Sequence, residues 1–129
     1  MIAGGRSNIT YRVHDANGRT VVLRRPPTGH VLATAHDMGR EHRIITAVGT
    51  TDVPVPRTLG MCDDTAVNDA PFYVMSFVDG VVLDGQAKAV SLSPATRRSL
   101  AEDLIDVMVR LHAVDVDGVG LGDLAKRDA

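Results

Sequence analysis

Tryptophan is absent from the 129-residue sequence, and phenylalanine and tyrosine contribute only two residues each. Any core must therefore be built from Val, Leu, Ile, Ala and Met, which 44% hydrophobic content permits but keeps thin. Cysteine occurs once, at Cys62, so no internal disulfide can form, and a buried, inert thiol is its expected role. Lysine is confined to Lys88 and Lys126; the other basic residues are all arginine, which reads first as the coding bias of a GC-rich genome. The formal charge of −2 argues against nucleic acid as a main partner, since phosphate backbones demand a clustered positive excess. No apolar run approaches the roughly 20 residues of a membrane span, and Met1–Arg6 carries no apolar stretch of signal-peptide length. The expectation is a cytoplasmic protein with no membrane partner. His14, His30, His36 and His42 lack a shared metal-ligand spacing, and no serine sits in a nucleophile elbow.

What is present begins with alternation. Ile9, Tyr11 and Val13 interleave with Thr10, Arg12 and His14, the period of a half-buried strand. Asp15-Ala16-Asn17-Gly18 is a cluster of turn formers, and Val21-Val22-Leu23 leads to Arg24-Arg25 before Pro26-Pro27. These segments predict an antiparallel hairpin. A loop follows, and then a helix from about Ala35 to Val48, with Thr34 and Asp37 as a weak start signal and Gly49 as the stop. Met38, Glu41, Ile45 and Val48 share one face of it.

Pro54 and Pro56 force an extended lead into a strand near 57–61, and prolines at its start suit an edge or entry position. Residues 62–71 read as a polar loop, and Phe72–Val78 as the most convincing strand of all. Residues 81–92 read as loop. Ser93-Pro94 then opens a helix running to His112, with Leu100, Leu104, Val107 and Leu111 as its apolar stripe and Asp106–Arg110 as an ion pair. One helix between strands and another after them predict an α+β fold.

Few residues invite chemistry on their own. Gly4-Gly5-Arg6-Ser7-Asn8 could bring backbone amides and two polar side chains to phosphate oxygens, or could be an ordinary turn. Arg24 ends the second strand, and Glu41 lies on an otherwise apolar helix stripe, where a carboxylate needs a partner; the two could present positive charge to phosphates, or be an ordinary exposed Glu and a surface Arg. Asp115-Val116-Asp117, followed by Gly118, reads as a solvated turn rather than a metal site.

Taken in order, residues 4–13, 21–27, 36–43, 53–57 and 70–80 resemble the N-terminal lobe of the aminoglycoside phosphotransferase and choline kinase-like family, in the branch associated with acyl-CoA dehydrogenases. Leu111-His112-Ala113-Val114-Asp115 resembles the same branch. The resemblance implies a kinase-like N-lobe over residues 1–79, with its first strand mostly missing. It further implies a hinge or linker over 80–92 and the start of a second lobe over 93–129, truncated. It implies ATP as cofactor, with Mg²⁺ in the complete fold, its ligands being absent here. Gly4, Gly5, Arg6, Ser7 and Asn8 would form the loop covering the nucleotide. Arg24 would stand where most relatives carry a phosphate-contacting lysine, with Glu41 as its helix partner. Met75, Ser76, Phe77 and Val78 would form the hinge at the adenine edge.

The Asp and Asn of a kinase catalytic loop have no counterpart, since no Asn follows Asn68, so no catalytic residue is assigned. The expected function is that of a fragment of an ATP-dependent kinase acting on a small-molecule hydroxyl, of a hydroxyacyl-CoA if the branch holds, and inactive alone. A non-catalytic interaction module and a decayed gene product stand as alternatives. Expected partners are a nucleotide and either the missing second lobe or a second copy of the chain.

Overall fold

Alternation and one glycine decide the first two elements of the structure, a computed structural model that describes residues 8–27, 37–83 and 85–124. Strand β1 (Ile9–His14) pairs antiparallel with β2 (Thr20–Arg25), with Ile9 opposite Arg25 and His14 opposite Thr20. Between them Gly18 takes a φ of 78°, which a side chain would disfavour, while Asp15 accepts from the amides of Asn17 and Arg19. The expected hairpin is present.

Helix α1 (Met38–Val48) is capped by Asp37, whose carboxylate accepts from the Arg40 amide at 2.8 Å. Asp37 is thus the cap itself; Thr34 and the expected first helical residues from Ala35 lie outside the described residues. An Asp37→Ala substitution is expected to cost about 1 kcal/mol, seen as a lower urea midpoint with an unchanged slope.

Strand β3 (Thr58–Cys62) follows the prolines, and β4 (Phe72–Ser76) ends two residues short of the expected strand. Two short helices replace expected loop: α2 (Thr65–Asn68), capped by Asp64, and α3 (Gln86–Val90). Helix α4 (Pro94–His112) starts as read, with Ser93 accepting from the Thr96 amide at 3.1 Å and proline in the first turn. The sheet order is β1-β2-β4-β3, all antiparallel, which leaves β3 at an edge, with its prolines at the strand entry.

Packing is thin, as the scarcity of aromatics implies. Helix α1 lies on β3 and β4, and Met38, Val22 and Tyr73 are buried at that layer. A second cluster forms at the far end of α1, where Val48, Val53 and Leu121 are buried with Val107 and Val114 against them. The segment after α4 reaches it through Arg43, which pairs with Asp123 at 2.6 Å. Asp115 accepts from the amides of Asp117 and Gly118, closing the expected turn on itself. The Asp106–Arg110 pair is not formed; Arg110 donates to the Asp52 carbonyl oxygen at 3.2 Å instead. Cys62 is half-buried rather than buried, its thiol 3.8 Å from the Asp64 carbonyl oxygen. No residue of α4 is buried, and Leu104 is 60% exposed. Among the described residues no helix is long and apolar enough to cross a membrane.

Candidate functional site

The register of the sheet assembles the site. Thr10 on β1 and Tyr73 on β4 flank Arg24 of β2, and Met75 lies beside Val22, so these residues share the face that α1 covers. Glu41, in the first turn of α1, faces them. A helix-face carboxylate, a strand-end cation and a buried tyrosine thereby meet at one point.

Arg24 grips Glu41 with two donors: Nε to Oε2 at 2.7 Å and Nη2 to Oε1 at 3.3 Å. Its third nitrogen, Nη1, donates to the Thr10 hydroxyl at 3.0 Å. Glu41 also accepts from the Asn8 amide nitrogen at 2.7 Å and from the Tyr73 hydroxyl at 3.1 Å. The two charged side chains are 27% and 32% exposed, dry enough for this geometry to count. A guanidinium carries five N–H donors. Three are engaged here, and the other two have no partner among the described residues.

Charge follows geometry. Burial would raise the Glu41 carboxyl, but the hydrogen bonds and charge of Arg24, with Tyr73 and Asn8, outweigh it and hold the group below its ordinary range. Arg24 is raised, chiefly by its bond to Glu41. Tyr73 is pushed up to about 12, first by burial and then by the Glu41 charge. Glu41 is therefore ionised, and Tyr73 neutral, over the whole physiological range.

Beside this network opens a cavity of about 350 Å³, lined by Arg24, Glu41, Ile44, Ile45, Pro56, Tyr73 and Met75. Apolar walls with one polar corner are what a flat ring with a charged tail requires. Past β4, the Phe77 ring lies 4.4 Å beneath the Arg12 guanidinium, and Val78 is 65% exposed. Ser76 is tied to the strand entry by bonds with the backbone of Arg57 at 2.8 and 2.9 Å.

The structure thus brings Arg24 and Glu41 together as their sequence positions required, with Met75 on the same face. Gly4, Gly5, Arg6 and Ser7 lie outside the described residues. Asn8 departs from its expected place: it is 5% exposed, and its amide is turned to Glu41 rather than outward to a ligand. Sequence reading missed Thr10, Arg12 and Tyr73. Strand alternation, which sets Thr10 and Arg12 on the face of Val22 and Arg24, was the signal that could have found the first two.

Comparison with known proteins shows the family. The model of the phosphotransferase enzyme family matches residues 1–129. Acyl-CoA dehydrogenase family member 10 of Mus musculus is 34% identical over 95% of this chain, and member 11 of Homo sapiens is 32% identical over 92%. The chain spans only 11% and 16% of those two proteins. The crystal structure of a candidate aminoglycoside phosphotransferase from Ralstonia eutropha superposes with a TM-score of 0.76 at 35% identity, covering 95% of this chain and 34% of that one.

Proposed function

The chain belongs to the phosphotransferase enzyme family, and from that premise we propose that it is the ATP-binding lobe of a kinase that phosphorylates a small-molecule hydroxyl. The observation that carries this is the Arg24–Glu41 pair. Glu41 takes one fork of the guanidinium, and two N–H donors are left over beside an apolar cavity. Arginine can therefore stand where relatives have lysine. A lysine held by the same carboxylate would offer a point charge, whereas the planar fork can hold Glu41 and still address a phosphate with two hydrogen bonds.

In this reading the base lies against Val22 and Met75, with its edge at residues 76–78 and its phosphates at Arg24. The lobe covers residues 1–79, a linker 80–92, and a second lobe begins at 93. Relatives named for acyl-CoA dehydrogenation favour a hydroxyacyl-CoA as the acceptor. Among the described residues no group of His, Cys, Asp and Glu fits a metal ion. In this reading Mg²⁺ and the catalytic base come from a complementary half that docks on the exposed face of α4.

Calorimetric titration with ATP tests the reading. The wild-type chain is expected to bind, and Arg24→Met to lose on the order of tenfold or more in affinity, the worth of charge-assisted bonds to a phosphate. Neither form should turn ATP over alone, since phosphoryl transfer depends on a positioned base and charge neutralisation. Equal binding by wild type and variant would defeat the assignment of Arg24.

A further inference from the structure

Phosphate contact explains why Arg24 is held by Glu41, but not why Asn8 and Tyr73 are. Both are buried, Tyr73 1% and Asn8 5% exposed, and both aim their polar group at Glu41. Each takes a different oxygen of the carboxylate, Asn8 bonding Oε1 and Tyr73 bonding Oε2. A carboxylate turns readily about its terminal bond, and a side-on guanidinium fork is met at both oxygens only when the two groups are coplanar. One donor on each oxygen, arriving from β4 and from the residue before β1, stops that rotation.

We propose that Asn8 and Tyr73 are positioning residues that lock the Glu41 carboxylate in the plane of the Arg24 guanidinium. The plane in which the two remaining Arg24 donors lie is thereby fixed. The functional meaning rests on the reading of Arg24 as the phosphate contact; the geometry does not. Asn8, expected to touch the nucleotide, acts on it through two other side chains.

The Arg24 Nε–H signal in ¹⁵N NMR reports the lock directly, through its exchange with water at about pH 5 and about pH 8. The groups facing Glu41 are Arg24 from β2 and Tyr73 from β4, with His42 on α1 itself, its ring 5.9 Å from that of Tyr73. Asn8→Asp sets a second carboxylate against Glu41, and such a pair shares a proton in acid but repels when both are ionised. Relative to wild type at the same pH, Asn8→Asp should be protected at the lower pH and exchange on the order of tenfold faster at the higher, the loss of one charge-assisted bond. Asn8→Ala should exchange faster at both. The double variant Asn8→Asp/Glu41→Gln restores a donor–acceptor pair and should be protected at both.

A pH-independent loss in Asn8→Asp equal to that of Asn8→Ala would reduce Asn8 to packing and overturn the proposal, as would wild-type exchange in both. If Asn8→Asp unfolds at the higher pH, the double variant decides: a folded chain with protected Nε–H supports the lock, and an unfolded one overturns it. ATP titration separates the two readings. Binding that Asn8→Ala leaves unchanged overturns positioning, whereas no wild-type binding with the exchange pattern intact overturns the nucleotide assignment alone.

Discussion

Replacing Glu41 with alanine is expected to destabilise the fold by about 3 kcal/mol. Four hydrogen bonds end on its carboxylate, two from Arg24 and one each from Asn8 and Tyr73. Alanine removes all of them, leaving the half-buried guanidinium with Thr10 as its acceptor and the Tyr73 hydroxyl without Glu41. Orphaned donors, rather than lost attraction, carry most of the cost. Against a typical total stability of about 5–15 kcal/mol, one such substitution brings a thin domain close to unfolding at ordinary temperature. Urea denaturation of the wild type and Glu41→Ala gives the difference. A loss below about 1 kcal/mol would mean that water replaces the network freely.

The same network fixes the pH response. The Glu41 carboxyl is lower in the folded than in the unfolded chain, so its contribution is complete above the ordinary value of 4.5 and disappears as pH falls through the lower folded one. Tyr73 acts in the opposite sense. Its hydroxyl is raised from 10.0 to about 12, so its contribution holds below the first value and is lost as pH rises through the second. Unfolding midpoints followed into acid and alkali should fall at both ends in the wild type. In Tyr73→Phe the alkaline fall should shrink.

Amide hydrogens of α4 are expected to exchange at least about a hundredfold faster than those of β4. The helix has 19 residues but buries none of them, and among the described residues it is tied to the rest by half-buried Val107, by Leu111 beside Ile44 and Val48, and by the bond from Arg110 to the Asp52 carbonyl. A lone helix of this length is marginal in water, since nucleation is costly and each added bond contributes little. Leu100, Leu104, Met108 and Leu111, 41–60% exposed, therefore lend it only part of the packing energy of a buried stripe. Exchange measured by mass spectrometry on the dilute chain would show α4 labelled first. Slow exchange throughout α4, with light scattering giving a monomer, would contradict this. Protection that appears only as concentration rises would show a second copy covering the face.

Much of this architecture was legible because it is periodic. The hairpin announced itself through Ile9, Tyr11 and Val13, and α4 through Ser93-Pro94 and its stripe. Helices α2 and α3 were not, for four or five residues are too few to display a period of 3.6. At the site, Glu41 was found because a charge on an apolar stripe must be answered. Tyr73 was not, since in a strand of Phe, Tyr, Val and Met it reads as one more hydrophobe and its hydroxyl leaves no pattern. Asn8 misled for a related reason. A polar residue after two glycines reads as loop, and only the fold reveals which way its amide turns.

The separations of Glu41 from its partners, 33 residues to Asn8, 17 to Arg24 and 32 to Tyr73, bear on how the molecule comes apart. The β1–β2 hairpin closes locally, but these bonds need a finished sheet and a docked helix, so they form late. Interactions absent from the folding barrier act almost wholly on the escape rate. The carboxylate accordingly works as a clasp on the native lifetime: its removal should leave the refolding arm of a chevron in place and lift the unfolding arm.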